Sequence, residues 1–80
     1  MRGRTLRRFM SLMENDLEGV TVRLFDVDVG IGVDTPYIGG LRPYVVEKYG
    51  DYYVVETELF YDGNERYCDI DVSQEVNYGY

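Results

Sequence analysis

The sequence contains no histidine and no tryptophan, and it has one cysteine and one lysine. Without histidine, the chain lacks the side chain that most often serves as a general base near neutral pH and that most often binds zinc. Because Cys68 is the only cysteine, no disulfide can form within the chain. A secreted domain of this size usually depends on disulfides, so the composition favours a reducing, cytoplasmic environment.

Long apolar runs are also missing. No segment approaches the ~20 apolar residues that a membrane-spanning helix needs. Residues 6–13 follow several arginines, but their apolar run is too short for a signal peptide and no small-residue cleavage site comes after it. We therefore expect neither a membrane span nor a secretory leader.

The chain has 80 residues, enough for one small domain. A domain of this size buries roughly 60% of its unfolded surface, which leaves a thin core and little room for a deep catalytic pocket. The formal net charge is −7, and half of the eight basic residues lie near the N-terminus. The rest of the chain is strongly acidic, so it should repel nucleic acid and attract basic protein surfaces. The N-terminal basic residues are Arg2, Arg4, Arg7 and Arg8.

The first predicted element is an amphipathic helix over residues 5–18. Its apolar residues recur at helical spacing and fall on one face. Thr5 is placed to cap the start of the helix and Gly19 to end it, while residues 1–4 are expected to be disordered. The apolar positions are Leu6, Phe9, Met10, Met13 and Leu17.

Residues 20–72 are predicted to form a four-stranded antiparallel meander, which gives an α+β fold with the helix packed on one face of the sheet. The segment Val20–Val29 alternates apolar and polar residues and then changes phase, which predicts a β-bulge near Leu24–Phe25. Glycines and prolines then predict a loop, with a short strand near Val33 or Tyr37–Ile38.

Two hairpins complete the predicted sheet. The first joins Tyr44–Tyr49 to Tyr52–Tyr61 through Gly50–Asp51, and the second joins that strand to Glu65–Val72 through an Asp-Gly-Asn turn. The tail, residues 73–80, is expected to be loosely held, although its alternating apolar residues could add an edge strand.

The second hairpin predicts an acidic face. With a two-residue turn at Asp62–Gly63, Glu56 lies opposite Asp69; with a four-residue turn, Glu58 lies opposite Asp69 and Glu56 opposite Asp71. Both registers have the same parity, so the apolar side chains share one face and the acidic side chains the other. The predicted partner-binding residues are Glu56, Glu58, Asp69 and Asp71, together with Tyr67 and Tyr52.

Three interpretations of this acidic face stay open. It is either an ordinary solvated outer face of an antiparallel sheet, a surface that imitates the phosphates of a nucleic acid, or a cation site. Like charges on opposite strands destabilise a hairpin by up to ~1 kcal/mol per pair, and a mixed-sign surface would avoid this cost. Tyrosines beside the carboxylates are typical of protein-binding surfaces, which favours the second interpretation.

Metal binding and catalysis have weaker support. Asp26, Asp28 and Asp34 alternate with glycines, as in calcium loops, but Tyr37 stands where such a loop needs its last glutamate. These three residues remain weak metal candidates, and we predict no cofactor. The paired carboxylates have no recognisable pocket around them, and Cys68 has the parity of a buried thiol with no histidine to activate it.

The leading hypothesis is therefore a non-enzymatic, cytoplasmic interaction protein that inhibits a basic, nucleic-acid-handling protein without binding nucleic acid itself. Small acidic proteins that phages and mobile elements direct against restriction or CRISPR systems resemble this chain in size and charge. An assembly subunit that forms homodimers or larger homo-oligomers, and a small cation-binding domain, are the alternatives. The cluster Arg2–Arg8 is expected to fold back on the acidic sheet, to reach a second copy, or to stay solvated.

Overall fold

A computed structural model of the chain describes residues 4–75. Within this range, two helices pack against one face of a four-stranded sheet, and the opposite face of the sheet is left uncovered. The predicted α+β class is therefore confirmed. The elements are α1 (Leu6–Leu17), β1 (Thr21–Asp26), β2 (Ile31–Pro36), α2 (Pro43–Tyr49), β3 (Tyr53–Asp62) and β4 (Glu65–Ser73).

Helix α1 forms where the sequence predicts it. The hydroxyl of Thr5 accepts a hydrogen bond from the backbone N–H of Arg8 at 3.3 Å, which satisfies one of the free donors in the first turn. The apolar stripe of α1 packs in the core, where Leu6 and Leu17 are 1% and 0% exposed. Gly19 follows the helix with φ at +82°, a left-handed conformation that glycine adopts without steric cost.

The predicted antiparallel meander is wrong. The strand order is β2-β1-β4-β3, and β1 pairs with β4 in parallel while the two other pairs are antiparallel. Two parallel strands need a connection that crosses over the sheet. Helix α2 lies in that connection, so the β3–β4 hairpin returns with β4 beside β1 and with β3 at the edge.

The first predicted hairpin, Tyr44–Tyr49 with Gly50–Asp51, is wrong because residues 43–49 form α2 instead. Pro43 stands in the first turn, where its missing N–H costs no helical hydrogen bond. Val45 and Tyr49 are one helical turn apart, and both are buried. Packing of this side of the helix in the core therefore outweighs the strand preference of valine and tyrosine.

The bulge predicted near Leu24–Phe25 is also wrong. Strand β1 keeps an unbroken register with both neighbours, and the ladder shifts instead in β3, between Val54 and Glu56. The change of phase in the sequence has another cause, because Asp26 is a buried polar residue whose carboxylate accepts the N–H of Asp28 at 3.0 Å.

Strand β2 occupies part of the stretch predicted as a loop, and it contains the short strand expected near Val33. The tail prediction for residues beyond 75 lies outside the described residues. Among the described residues, 4–75, neither helix has the length and apolar content required to cross a membrane.

The core lies between the helices and the inner face of the sheet. Burial is most complete on β4, where alternate residues point toward the helices. Cys68 is one of them, as predicted, and burial raises the pKa of its thiol to about 11, so the thiol is protonated and unreactive near neutral pH. The buried apolar residues of β1 and β4 are Val22, Leu24, Cys68, Ile70 and Val72.

Candidate protein-interaction face

The uncovered side of the sheet contains the acidic residues of the β3–β4 hairpin. Glu58 pairs with Asp69, and Glu56 pairs with Asp71, which is the second of the two registers considered above. Their strand neighbours Ile70 and Cys68 are buried under the helices, so these acidic side chains point to the opposite side. The structure thus brings the four predicted carboxylates together.

The parallel pairing extends this surface across β1 and β2. Asp69 lies beside Arg23, and Asp71 lies beside Phe25. On the far side of β1, Asp34 pairs with Arg23. We call the surface formed by these strands the acidic face, and its central carboxylates are Asp34, Glu56, Glu58, Asp69 and Asp71.

Arg23 is the central cation of the acidic face. Its Nε donates to Oδ1 of Asp69 at 2.7 Å, and a terminal nitrogen donates to Oδ2 at 2.9 Å. Such a two-point contact fixes both side chains and balances the charge of Asp69. The hydrogen bond with Asp69 also raises the pKa of Arg23. Asp69 is consequently engaged within the protein, whereas the other carboxylates of the face are open to a partner.

Two aromatic rings also lie close to the guanidinium of Arg23. Phe60 and Tyr67 pair across the hairpin and stack at 5.3 Å with an angle of 18° between their planes. The guanidinium carbon lies 4.8 Å from the centre of the Phe60 ring and 5.3 Å from that of Tyr67. These are distances at which a cation is attracted to an aromatic ring. Tyr67 therefore belongs to the acidic face, as predicted.

Asp71 is partly buried beside two other carboxylates of the acidic face. Partial burial raises its pKa, and the nearby negative charges of Glu56 and Asp69 raise it further. A shallow depression of about 360 Å³ lies beside it, lined among others by Phe25, Gly32 and Asp34. Glu56 and Glu58 are exposed at the side of this depression nearer the sheet edge.

Tyr52 is not part of the acidic face. Its ring contacts that of Tyr49 edge to face at 5.0 Å, against the core on the helix side. Its hydroxyl accepts a hydrogen bond from the side-chain nitrogen Nε2 of Gln74 at 3.1 Å. The predicted role of Tyr52 in partner binding therefore has no geometric support, because the turn before β3 directs it away from the carboxylates.

The weak metal candidates do not converge. The carboxylate of Asp28 accepts hydrogen bonds from the hydroxyl of Ser73 at 2.8 Å and from the backbone N–H of Gln74 at 2.9 Å. Asp26 is buried beside it, while Asp34 lies on the acidic face. Between residues 4 and 75, no group of three or more acidic or cysteine side chains is arranged to hold a metal ion. Asp28 instead connects the β1–β2 turn to the end of β4 by these two hydrogen bonds.

The N-terminal arginines that the structure describes do not cover the acidic face. Arg7 forms an ion pair with Asp51 at 3.4 Å, between the start of α1 and the residues after α2. This pair is exposed and contributes little to stability. The expectation that the cluster folds back on the acidic sheet is therefore wrong for Arg7, and Arg2 lies outside the described residues. Sequence reasoning missed Arg23, which acquires its acidic neighbour only through the parallel pairing of β1 with β4.

Comparison with known proteins adds no functional assignment. No family model matches the chain, and no match was found among the curated proteins or the solved structures.

Proposed function

We propose that the protein is a non-enzymatic interaction protein that binds a basic surface of a nucleic-acid-handling protein through the acidic face and inhibits that protein. The observation that carries the proposal is the gathering of carboxylates from three strands on the uncovered side of the sheet. Among the described residues, Arg23 is the cation that contacts them. The only lysine, Lys48, lies in α2, on the covered side.

The spacing of these carboxylates supports mimicry of a nucleic acid. Neighbouring strands lie about 5 Å apart, and alternate residues along one strand lie about 7 Å apart. Glu56, Glu58 and Asp71 therefore form a flat array of negative charges with a separation similar to that of phosphates. A basic cleft that binds a nucleic-acid backbone would meet a comparable pattern of charge.

The cost of this arrangement also supports a role in binding. Partial burial raises the pKa of Asp71, and the negative charges of Glu56 and Asp69 raise it further, so the ionised form of Asp71 is disfavoured at this position. A lysine or a glutamine at one of these positions would remove the repulsion without disturbing the core. A face that retains an unfavourable charge pattern is typical of a surface that meets positive charge on a partner.

The proposal is tested by displacement. Proteins of a bacterial lysate are bound to DNA-cellulose at low salt, and the purified protein is added. We expect it to release one or more basic proteins, and we expect the double variant Glu56→Gln with Glu58→Gln to require at least about tenfold more protein for the same release. Released proteins are identified by mass spectrometry, and their release should decline as salt is added.

A matched control separates the acidic face from net charge. The double variant Asp16→Asn with Glu47→Gln removes the same two charges from exposed positions on α1 and α2. This control should release the same proteins as the wild type. Equal release by both double variants, or no release by the wild type, would contradict the proposed function.

Replacing Arg23 is expected to affect folding and binding in opposite directions. In Arg23→Gln, the acidic face loses its central cation, so Asp69 becomes available to a partner and binding of the displaced protein should strengthen. The fold should become less stable, because Asp69 and Asp71 then repel each other without compensation. Urea unfolding and a binding titration measure the two effects. Arg42→Gln, at the exposed start of α2, is the control. If Arg23→Gln weakened binding and Arg42→Gln did not, Arg23 would contact the partner directly and the expected strengthening would be wrong.

A further inference from the structure

The outer edge of β3 is partly occupied by the chain itself. Next to the start of the strand, the backbone N–H of Val54 donates to the carbonyl of Arg4 at 2.7 Å, and Thr5 forms an antiparallel bridge with Tyr53. Farther along the strand, at residues 56–62, the described residues provide no hydrogen-bond partner on the side away from β4. Alternate N–H and C=O groups of this segment therefore face solvent.

The two sides of this free edge differ in chemistry. On the acidic face, it is bordered by Glu56 and Glu58. On the helix side, it is bordered by Leu59 and Tyr61, which are 57% and 75% exposed because the helices do not extend over them. An edge strand whose N–H and C=O groups are unpaired is a place where another strand can add.

A small cavity lies beside the same edge on the helix side. It has a volume of about 80 Å³ and is lined by Arg4, Phe9, Val54 and Thr57. An added strand would direct alternate side chains toward this side of the sheet, where one apolar side chain could enter the cavity. In complexes of this kind, main-chain hydrogen bonds supply affinity and such pockets supply specificity.

We infer that residues 56–62 of β3 accept an extended segment of the partner as a fifth strand, and that this segment alternates basic and apolar residues. On the acidic face, its basic side chains lie beside Glu56 and Glu58. On the helix side, its apolar side chains lie beside Leu59 and Tyr61. This inference rests on the proposed function, since it names the part of the basic partner that the acidic face engages.

A second copy of the chain fits this edge poorly. If two β3 strands paired about a twofold axis over most of residues 56–62, the register would place Glu58 opposite Glu58, Glu58 opposite Asp62, or Glu56 opposite Asp62. Each of these like-charge pairs is destabilising. The other free edge, β2, is shorter and ends in Pro36, which has no N–H to donate. Charge complementarity thus selects a basic strand on β3.

The probe is a blocked synthetic peptide with the sequence Lys-Val-Lys-Val-Lys-Val-Lys, titrated at low salt. In an added strand, only alternate amides of the peptide face the protein. We therefore expect N-methylation of one alternate set of amides to weaken binding by at least about tenfold, whereas methylation of the other set has little effect. A peptide of the same composition with the lysines grouped at one end should bind more weakly than the alternating peptide.

Two protein variants locate the docked strand. Leu59→Lys places a cation beside the β3 edge at a position exposed enough to tolerate it, and it should weaken binding of the alternating peptide by about tenfold or more. Ile31→Lys is the matched control on the β2 edge, since Ile31 is 53% exposed, and it should bind the peptide like the wild type. Circular dichroism verifies that both variants keep the fold.

Hydrogen exchange gives a direct readout. Alternate backbone amides between residues 56 and 62 should become protected when the peptide is added. Equal effects of the two methylation patterns, or protection already complete without the peptide, would overturn the inference. If binding then still depended on Glu56 and Glu58, the proposed function would stand and only the strand addition would be rejected. If peptide binding did not depend on the charges of Glu56 and Glu58, the proposed function would be rejected as well.

Discussion

Replacing Ile70 with alanine is expected to lower the free energy of unfolding by about 2–5 kcal/mol. Ile70 is fully buried on β4, where it pairs with Leu24 on one side and Thr57 on the other. The substitution removes most of a side chain at the centre of a thin core, which cannot easily collapse into the space. Small domains have a total stability of only roughly 0.05–0.15 kcal/mol per residue, so this loss is a large part of the whole.

The measurement is urea unfolding followed by far-ultraviolet circular dichroism, because the chain has no tryptophan. Leu59→Ala is the control on the neighbouring strand. Leu59 pairs with Cys68 in the same ladder, yet it is 57% exposed, so its truncation should change stability by no more than about 0.5 kcal/mol. Similar losses for the two variants would contradict the central position of β4.

The acidic face of the hairpin could be predicted because it depends on parity alone. In β3 and β4, apolar residues alternate with acidic ones, and any even shift of register leaves Glu56, Glu58, Asp69 and Asp71 on the same side. Helix α1 was predictable for a similar reason, since its apolar stripe and its threonine cap are local features. Local patterns of this kind survive uncertainty about the rest of the fold.

The order of the strands could not be predicted in the same way. Nothing local in β1 indicates whether β2 alone or also β4 will pair with it. The residues 43–49 carry a strand-like composition, and only their burial against α1 and the sheet makes the helix preferable. A strand at residues 43–49 would give a run of consecutive antiparallel pairs, which contains neither a crossover connection nor a parallel pair.

The position of Arg23 also depends on the parallel pairing of β1 with β4. In an antiparallel meander, this arginine would lie far from the terminal hairpin and would add nothing to its surface. In the observed sheet, it contacts Asp69 and the rings of Phe60 and Tyr67. The acidic face is therefore a surface organised around one internal cation, and its free charge lies mainly with Glu56, Glu58 and Asp71.

Glu56→Lys is expected to make the protein more stable and at the same time to prevent its binding to a basic partner. Glu56 lies directly opposite Asp71, so the substitution turns a repulsive cross-strand pair into an attractive one. The gain in unfolding free energy should reach up to about 1 kcal/mol near neutral pH. Binding of the alternating peptide, or of a protein released from DNA-cellulose, should weaken by about 100-fold, since the new lysine meets the partner's cations.

The pH dependence of the stability gain identifies its origin. In the wild type, the pKa of Asp71 is raised in the folded state, so its ionised form lowers stability at neutral pH. This penalty disappears as the pH falls and the carboxyl becomes protonated. The attraction between the new lysine and Asp71 also requires the ionised carboxylate. The difference in stability between Glu56→Lys and the wild type should therefore be largest near neutral pH and shrink toward acidic pH.

Asp16→Lys provides the control, because it changes the net charge by the same amount at an exposed position of α1. It should leave peptide binding nearly unchanged, because α1 lies on the covered side of the sheet. If Glu56→Lys bound the peptide as tightly as the wild type, the carboxylates would be an ordinary solvated surface of the sheet. If it bound weakly while folding more tightly, the repulsion between Glu56 and Asp71 would be a cost that the wild type carries for recognition of its partner.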